Sequence, residues 1–114
     1  MSDEWLPVPD FADRLGVTAS HVRELLREGA LVGVRRGERA VVQIPAAFIV
    51  EIDDAPQIVP TLRGTLTLLK DAGFSDEAAA QWLLDVNDEL GMSPIESLRS
   101  GQRAHVRRVA QALL

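Results

Sequence analysis

Between Val8 and Ile44 the apolar residues change their period once, and that change limits the folds open to the chain. The stretch reads VPDFADRLGVTASHVRELLREGALVGVRRGERAVVQI. Before Gly29 the apolar positions fall at helical spacing: Phe11, Ala12 and Leu15, then Val22, Leu25 and Leu26. After it, Leu31 to Val34 and Val41 to Ile44 are rich in β-branched residues, which suit a pleated strand. Punctuation agrees with the period. Pro9 or Asp10 starts a first helix, and Gly16 ends it by accepting positive φ. Thr18 is placed to cap a second helix that runs to about Arg27, with Gly29 closing it. Residues 35–40 form a polar loop with Gly37 at its apex, and Pro45, which cannot donate to a ladder, ends the second strand.

Helix, tight turn, helix and basic hairpin, in that order, outline a winged helix-turn-helix, whose second helix enters the DNA major groove. If Val22, Leu25 and Leu26 face the core, then Ser20, Arg23 and Arg27 share the exposed side at spacings of three and four. Arginine bridges two acceptors on guanine, and serine bonds a phosphate oxygen. Arg35, Arg36 and Arg39 give the hairpin a tip suited to phosphates or to the negative minor groove. A plain amphipathic helix or a solvated turn would carry the same residues. Their joint occurrence at short spacing favours nucleic acid. The expected DNA-binding set is Thr18, Ser20, His21, Arg23, Arg27, Arg35, Arg36 and Arg39.

Charge argues the other way. The 114 residues carry a net −5, whereas chains that depend on phosphate contacts are more often basic. The distribution is uneven, however. From Arg14 to Arg39 six arginines face three glutamates, while from Glu51 onward ten acids face six bases. The nucleic-acid face is therefore expected only in the first half. Glu24 and Glu28 would repel phosphate there unless they pair with arginine.

The remainder reads as helices. Residues 1–7 are expected to be a loose lead-in, with Trp5 and Leu6 tucked against the first helix. Ala46 to Ile52 reads as a short helix or an irregular apolar link. Asp53-Asp54-Ala55-Pro56 reads as a linker, which divides the chain into a winged DNA-binding region, 1–52, and a C-terminal helical domain, 53–114. Beyond it the pattern is helical only. One helix spans Pro60 to Ala72, and a second, capped by Ser75, carries Ala79, Trp82, Leu83 and Val86 on one face. A short helix follows the capping box at Ser93-Pro94-Ile95-Glu96. A last one has Val106, Val109, Ala110 and Leu113 as its core stripe. The expected fold is mainly α with a small β-hairpin wing, the winged region packed on the helical bundle.

Other chemistry finds little support. There is no cysteine, so no disulfide or thiolate-bound metal is expected, which suits a cytoplasmic protein. His21 and His105 stand alone, and Asp85 to Glu89 is too short for a calcium loop. No catalytic residue, cofactor or metal is expected, and the chain is not read as an enzyme. The longest apolar run, Ala46 to Val50, is too short to span a membrane. The expected partner is double-stranded DNA. A homodimer would lengthen the site read, although no long heptad stripe is present to hold one.

The run LPVPDFADRLGVTASHVRELLREGALVGVRRGERAVVQIPAAFI resembles the winged helix-turn-helix of a small actinobacterial DNA-binding family, whose mycobacterial member is a Ser/Thr-kinase substrate. LRGTLTLLKDAGFSDEAAAQWLL and SPIESLRSG resemble its C-terminal helical domain, so the likeness covers nearly the whole chain. It implies DNA binding through the second helix and the wing, without catalysis or cofactor; the helix-turn-helix and arginine wing themselves give the expected role, a transcriptional regulator or nucleoid-associated factor. With so short an N-terminal lead, no long phosphorylatable tail is expected. AAAQWLLDVNDELGMSPIESLRSG is also similar to the C-terminal domain of Xre-type antitoxins. That likeness implies an alternative, a protein-interaction module acting through a partner of the acidic C-terminal domain.

Overall fold

Strand β1 (Trp5–Pro7) leads directly into helix α1 (Val8–Leu15) in a computed structural model that describes residues 3–114. The loose lead-in expected for 1–7 is thus corrected from Trp5 onward, while Met1 and Ser2 lie outside the described residues. Leu6 is buried and sits opposite buried Ile44, so the segment is held by a ladder and by the core together. Pro9 lies in the first turn of α1, where a missing N–H breaks no helical bond, and Asp10 follows beside the positive end of the dipole. Gly16 ends the helix at φ +79, its N–H turned back to the carbonyls of Ala12 and Asp13.

Helix α2 (Ala19–Arg27) begins as the sequence predicts. The Thr18 hydroxyl accepts the His21 backbone N–H at 3.1 Å. Phe11, Ala12, Leu15 and Val22 join the core where α1 and α2 pack. Ala30, Leu31 and Val32 then run into the core rather than into a strand. The wing hairpin is therefore displaced from its expected position. Strand β2 covers Val34–Arg36 and strand β3 covers Val41–Pro45, paired as Val34↔Gln43, Arg35↔Val42 and Arg36↔Val41. Core burial has claimed Leu31 and Val32, so Arg35 and Arg36 sit on the ladder, and residues 37–40 alone make the turn. With β1 on the other side of β3, the wing is a three-stranded sheet ordered β1-β3-β2.

A 3₁₀ turn, Ala46–Phe48, drops Phe48 into the core. A second hairpin follows, β4 (Ile49–Ile52) with β5 (Ala55–Ile58). Asp53 and Asp54, expected as a linker, are its two turn residues, both at positive φ (54° and 63°). That is the backbone of a tight primed turn, and aspartate tolerates it better than most residues. Nor is the pattern helical only after residue 54, since β5 lies there. Pro56 is admitted because β5 is an edge strand.

Four helices complete the chain: α3 (Leu62–Asp71), α4 (Asp76–Leu84), α5 (Pro94–Arg99) and α6 (Arg103–Gln111). Ser75 and Ser93 cap α4 and α5, accepting the N–H groups of Ala78 and Glu96. Val86 was expected on the core face of α4 but is 73% exposed. The helix ends at Leu84, and Asp85 turns extended (ψ 146°), which throws Val86 outward. Leu113, expected in the last core stripe, lies beyond the end of α6 and is also exposed.

One apolar core runs through both halves, from Leu6 and Phe11 through Phe48 and Leu62 to Val106 and Val109. Where the halves meet, α1 packs on β5, α4 on β2, and α5 on the 3₁₀ turn. The position between residues 52 and 53 falls in the turn of the second hairpin. Arg99 strengthens the seam by donating to the carbonyls of Ala47 and Ile49. The radius of gyration, 13.5 Å, is that of a single compact body of this length.

Candidate nucleic-acid interface

Helix α2 buries Val22, half-buries Leu25 and Leu26, and leaves Ser20, His21, Arg23 and Arg27 exposed, so its apolar stripe turns the polar residues outward. Thr18 is exposed at the helix start, with its hydroxyl engaged by the cap. Glu24 is neutralised locally, pairing with Arg27 at 2.6 Å. Glu28 pairs with Arg63 of α3 at 3.9 Å, and the Arg63 guanidinium also donates to the Glu28 carbonyl at 3.4 Å. Both glutamates that would oppose phosphate therefore have cationic partners. The carbonyls at the C-terminal end of α2 also gain a donor from the other half of the chain. Nothing in the sequence spacing pointed to Arg63, which meets Glu28 from 35 residues away.

In the wing, strand alternation separates two neighbouring arginines. Arg35 pairs with Val42 and shares its face of the sheet. It lines a cleft of about 770 Å³ with Leu26, Arg27 and Val42, while Lys70 and Glu77 from the C-terminal half form part of the opposite wall. Its guanidinium also donates to the Ala40 carbonyl at 3.3 Å, bracing the turn. Arg36 points to the other face and lies over the Trp5 ring, 4.1 Å from its centroid. Trp5, which sequence reasoning assigned only to packing, thus positions one of the wing arginines. Arg39 is exposed in the turn, between Gly37 (φ 80°) and Ala40 (φ 50°). The structure thus brings Arg27 and Arg35 into one cleft and sends Arg36 to the opposite face of the sheet.

The ion pairs sort the cations. Of the twelve Lys and Arg side chains, Arg14, Arg27, Arg63, Lys70 and Arg99 lie within 4.0 Å of a carboxylate. Among the described residues, the other seven have no such partner: Arg23, Arg35, Arg36, Arg39, Arg103, Arg107 and Arg108. In a chain with 17 carboxylates that is a selective distribution. Four of the seven belong to α2 and the wing. Exposed guanidinium groups without a carboxylate partner keep their charge available to an outside anion, and planar, multi-donor guanidinium suits phosphate and guanine alike. Among the described residues no group of three or more His, Cys, Asp or Glu side chains could hold a metal ion, and no helix is long and apolar enough to cross a membrane.

Comparison with known proteins gives a concordant result. Residues 1–49 match a family model described as the DNA-binding protein Rv2175c wHTH domain, and residues 59–114 match one described as the Rv2175c C-terminal domain of unknown function. The DNA-binding protein Rv2175c of Mycobacterium tuberculosis (strain ATCC 25618 / H37Rv) is 35% identical over 118 residues, covering 93% of this chain and 77% of that protein. The NMR structure of Rv2175c superposes with a TM-score of 0.82 at 33% identity, over 98% of this chain and 82% of that one.

Proposed function

The chain belongs to the family of the mycobacterial DNA-binding protein Rv2175c, and from that premise we propose that it binds double-stranded DNA through its winged helix-turn-helix. In this reading α2 enters the major groove. Arg23 and Arg27 face the bases or the adjoining phosphates, Ser20 and His21 lie nearer the backbone, and Thr18 fixes the helix start. Arg35, Arg36 and Arg39 hold phosphates or enter the minor groove. The role is that of a transcriptional regulator or nucleoid-associated factor in the cytoplasm, with residues 1–52 reading DNA and residues 53–114 supporting them.

The observation that carries this reading is the set of carboxylate-free arginines on α2 and the wing of an otherwise acidic molecule. Each phosphate neutralised by a cation releases condensed counterions, so log K should fall linearly with log salt at about −0.9 per contact. The test is fluorescence anisotropy with a labelled duplex over a salt series. A steep negative slope is expected, reduced in Arg35→Gln/Arg39→Gln. Binding that ignores salt, or none at low salt, would refute the proposal.

A further inference from the structure

We propose that Arg103 and Arg107 of α6 form a second phosphate-holding ridge for the same duplex, reached across α3 from the end of α2. The inference rests on the DNA-binding reading above and extends it into the C-terminal half.

Three observations lead to it. The first is pairing: the carboxylate-free cations outside α2 and the wing are Arg103, Arg107 and Arg108, all on one helix. Arg103 and Arg107 are one turn apart, so like charges face each other with no acid to relieve them. Arg103 also occupies the first residue of α6, which has no acidic residue in its first turn, so its charge opposes the helix dipole. The arrangement costs the isolated protein stability, and an anion supplied from outside would remove that cost.

The second is shape. Arg103 and Arg107 line an open groove of about 650 Å³ between α3 and α6, together with Thr61, Gly64, Leu68 and Ala104. The space over Gly64 on the α3 side is open, since a Cβ built there would meet nothing within 4 Å. The groove's lining residues include no carboxylate.

The third is continuity. Thr67 lines both this groove and the cleft that holds Arg27 and Arg35, so α3 is the wall between them. The Arg63–Glu28 clasp fastens α3 to the C-terminal end of α2. The α6 arginines are thus held at a fixed separation from Arg27 and Arg35 across one helix, with Glu28, Asp71, Asp76 and Glu77 also lining the first cleft. A backbone leaving the α2 site on that side would meet the arginines of α6. The charge is complementary to a polyanion, and continuity with the α2 cleft favours DNA over an acidic polypeptide.

The test compares Arg103→Gln/Arg107→Gln with the unaltered full chain, using anisotropy in a salt series and hydroxyl-radical footprinting. Both side chains are exposed and their removal relieves the repulsion and the dipole clash, so the thermal transition should be level with the parent's or slightly higher. The expected result is a log–log slope shallower by about 1.8, so that the affinity ratio between about 50 and about 200 mM salt shrinks roughly twelvefold. Protection should be lost on one flank of the site, and Arg103→Lys/Arg107→Lys should restore both readouts. An unaltered slope and footprint in the Gln variant would overturn the proposal and leave the groove to an acidic polypeptide. If Arg35→Gln/Arg39→Gln still lowers the slope in that case, the winged-helix reading stands without the α6 ridge. No salt-dependent binding by the unaltered chain would refute both.

Discussion

Replacing Gly33 by alanine probes the joint between α2 and the wing. A Cβ at this position would lie 2.7 Å from Val42 Cγ1 and 3.4 Å from both the Gln43 carbonyl oxygen and Leu26 Cδ2. The backbone there is not in the left-handed region, so the obstacle is space alone. The 2.7 Å contact cannot persist, and Val42, β-branched and half-buried on β3, has few rotamers to escape into. Overpacking of this kind costs about 1–3 kcal/mol. Removing a glycine from the unfolded chain offsets about 0.4–1 kcal/mol of that. The net destabilisation should lie between about 0 and about 2.6 kcal/mol, which for a domain of this size lowers Tm by up to roughly 10 °C. Urea denaturation of Gly33→Ala, Val42→Ala and the double variant would measure it. Truncating Val42 removes the clashing methyl, so the double variant should recover at least about 1 kcal/mol relative to additivity. Strict additivity of the two substitutions would refute the steric argument. It would also imply that α2 and the wing are not held against each other as closely as their contacts indicate.

Four further outcomes follow from single side chains. Thr18→Ala removes the acceptor for the His21 N–H and should cost about 1 kcal/mol in urea denaturation, with Thr18→Ser largely retaining it. Leu83→Ala should cost about 2–5 kcal/mol, because its side chain is fully buried. By contrast Val86→Lys should stay within about 0.5 kcal/mol, although sequence periodicity puts Val86 on the same helical face. Arg23→Ala should change the order of preference among duplexes in a competition assay if that side chain reads a base, whereas loss of a phosphate contact would weaken all duplexes alike.

The elements legible in the sequence are those whose signals are local. Thr18, Ser75 and Ser93 were readable as caps because capping needs only one hydroxyl and the N–H three residues on. The helical stripes of α1 and α2 needed only spacing. The misplaced features depend on distant chain. Leu31 and Val32 have strand-like side chains, but the core takes them, and the hairpin register moves with them. Trp5–Pro7 becomes a strand only because β3 offers a free edge. Asp53-Asp54 looks like a solvated linker until Ile49–Ile52 is seen to pair with Ala55–Ile58, and Pro56 within that strand disguised the hairpin. In the interface, the exposure of Arg23 and Arg27 was readable from helical period. The stacking of Arg36 on Trp5 and the Arg63–Glu28 clasp were not, since each joins residues at least 31 positions apart.

The net charge of −5 remains to be reconciled with the polyanionic partner proposed above, and screening supplies the terms. The molecule measures 34 × 34 × 29 Å, whereas the Debye length is about 8 Å at physiological ionic strength. Acids several Debye lengths from the bound duplex then contribute little, and contact is governed by the nearby arginines. At about 0.01 M salt the Debye length rises to about 30 Å, comparable with the whole molecule, and every carboxylate opposes the duplex. Two opposing trends should therefore appear in one titration. Counterion release strengthens binding as salt falls, and whole-body repulsion grows as screening is lost. The log–log plot should run straight through the physiological range and flatten toward about 0.01 M, with association rates falling there as well. Neutralising acids of the C-terminal half, as in Asp85→Asn/Asp88→Asn/Glu89→Gln, should straighten the plot without changing its slope at higher salt. A plot already linear down to about 0.01 M in the unaltered protein would mean that the acidic half does not act on the duplex as a single repulsive body.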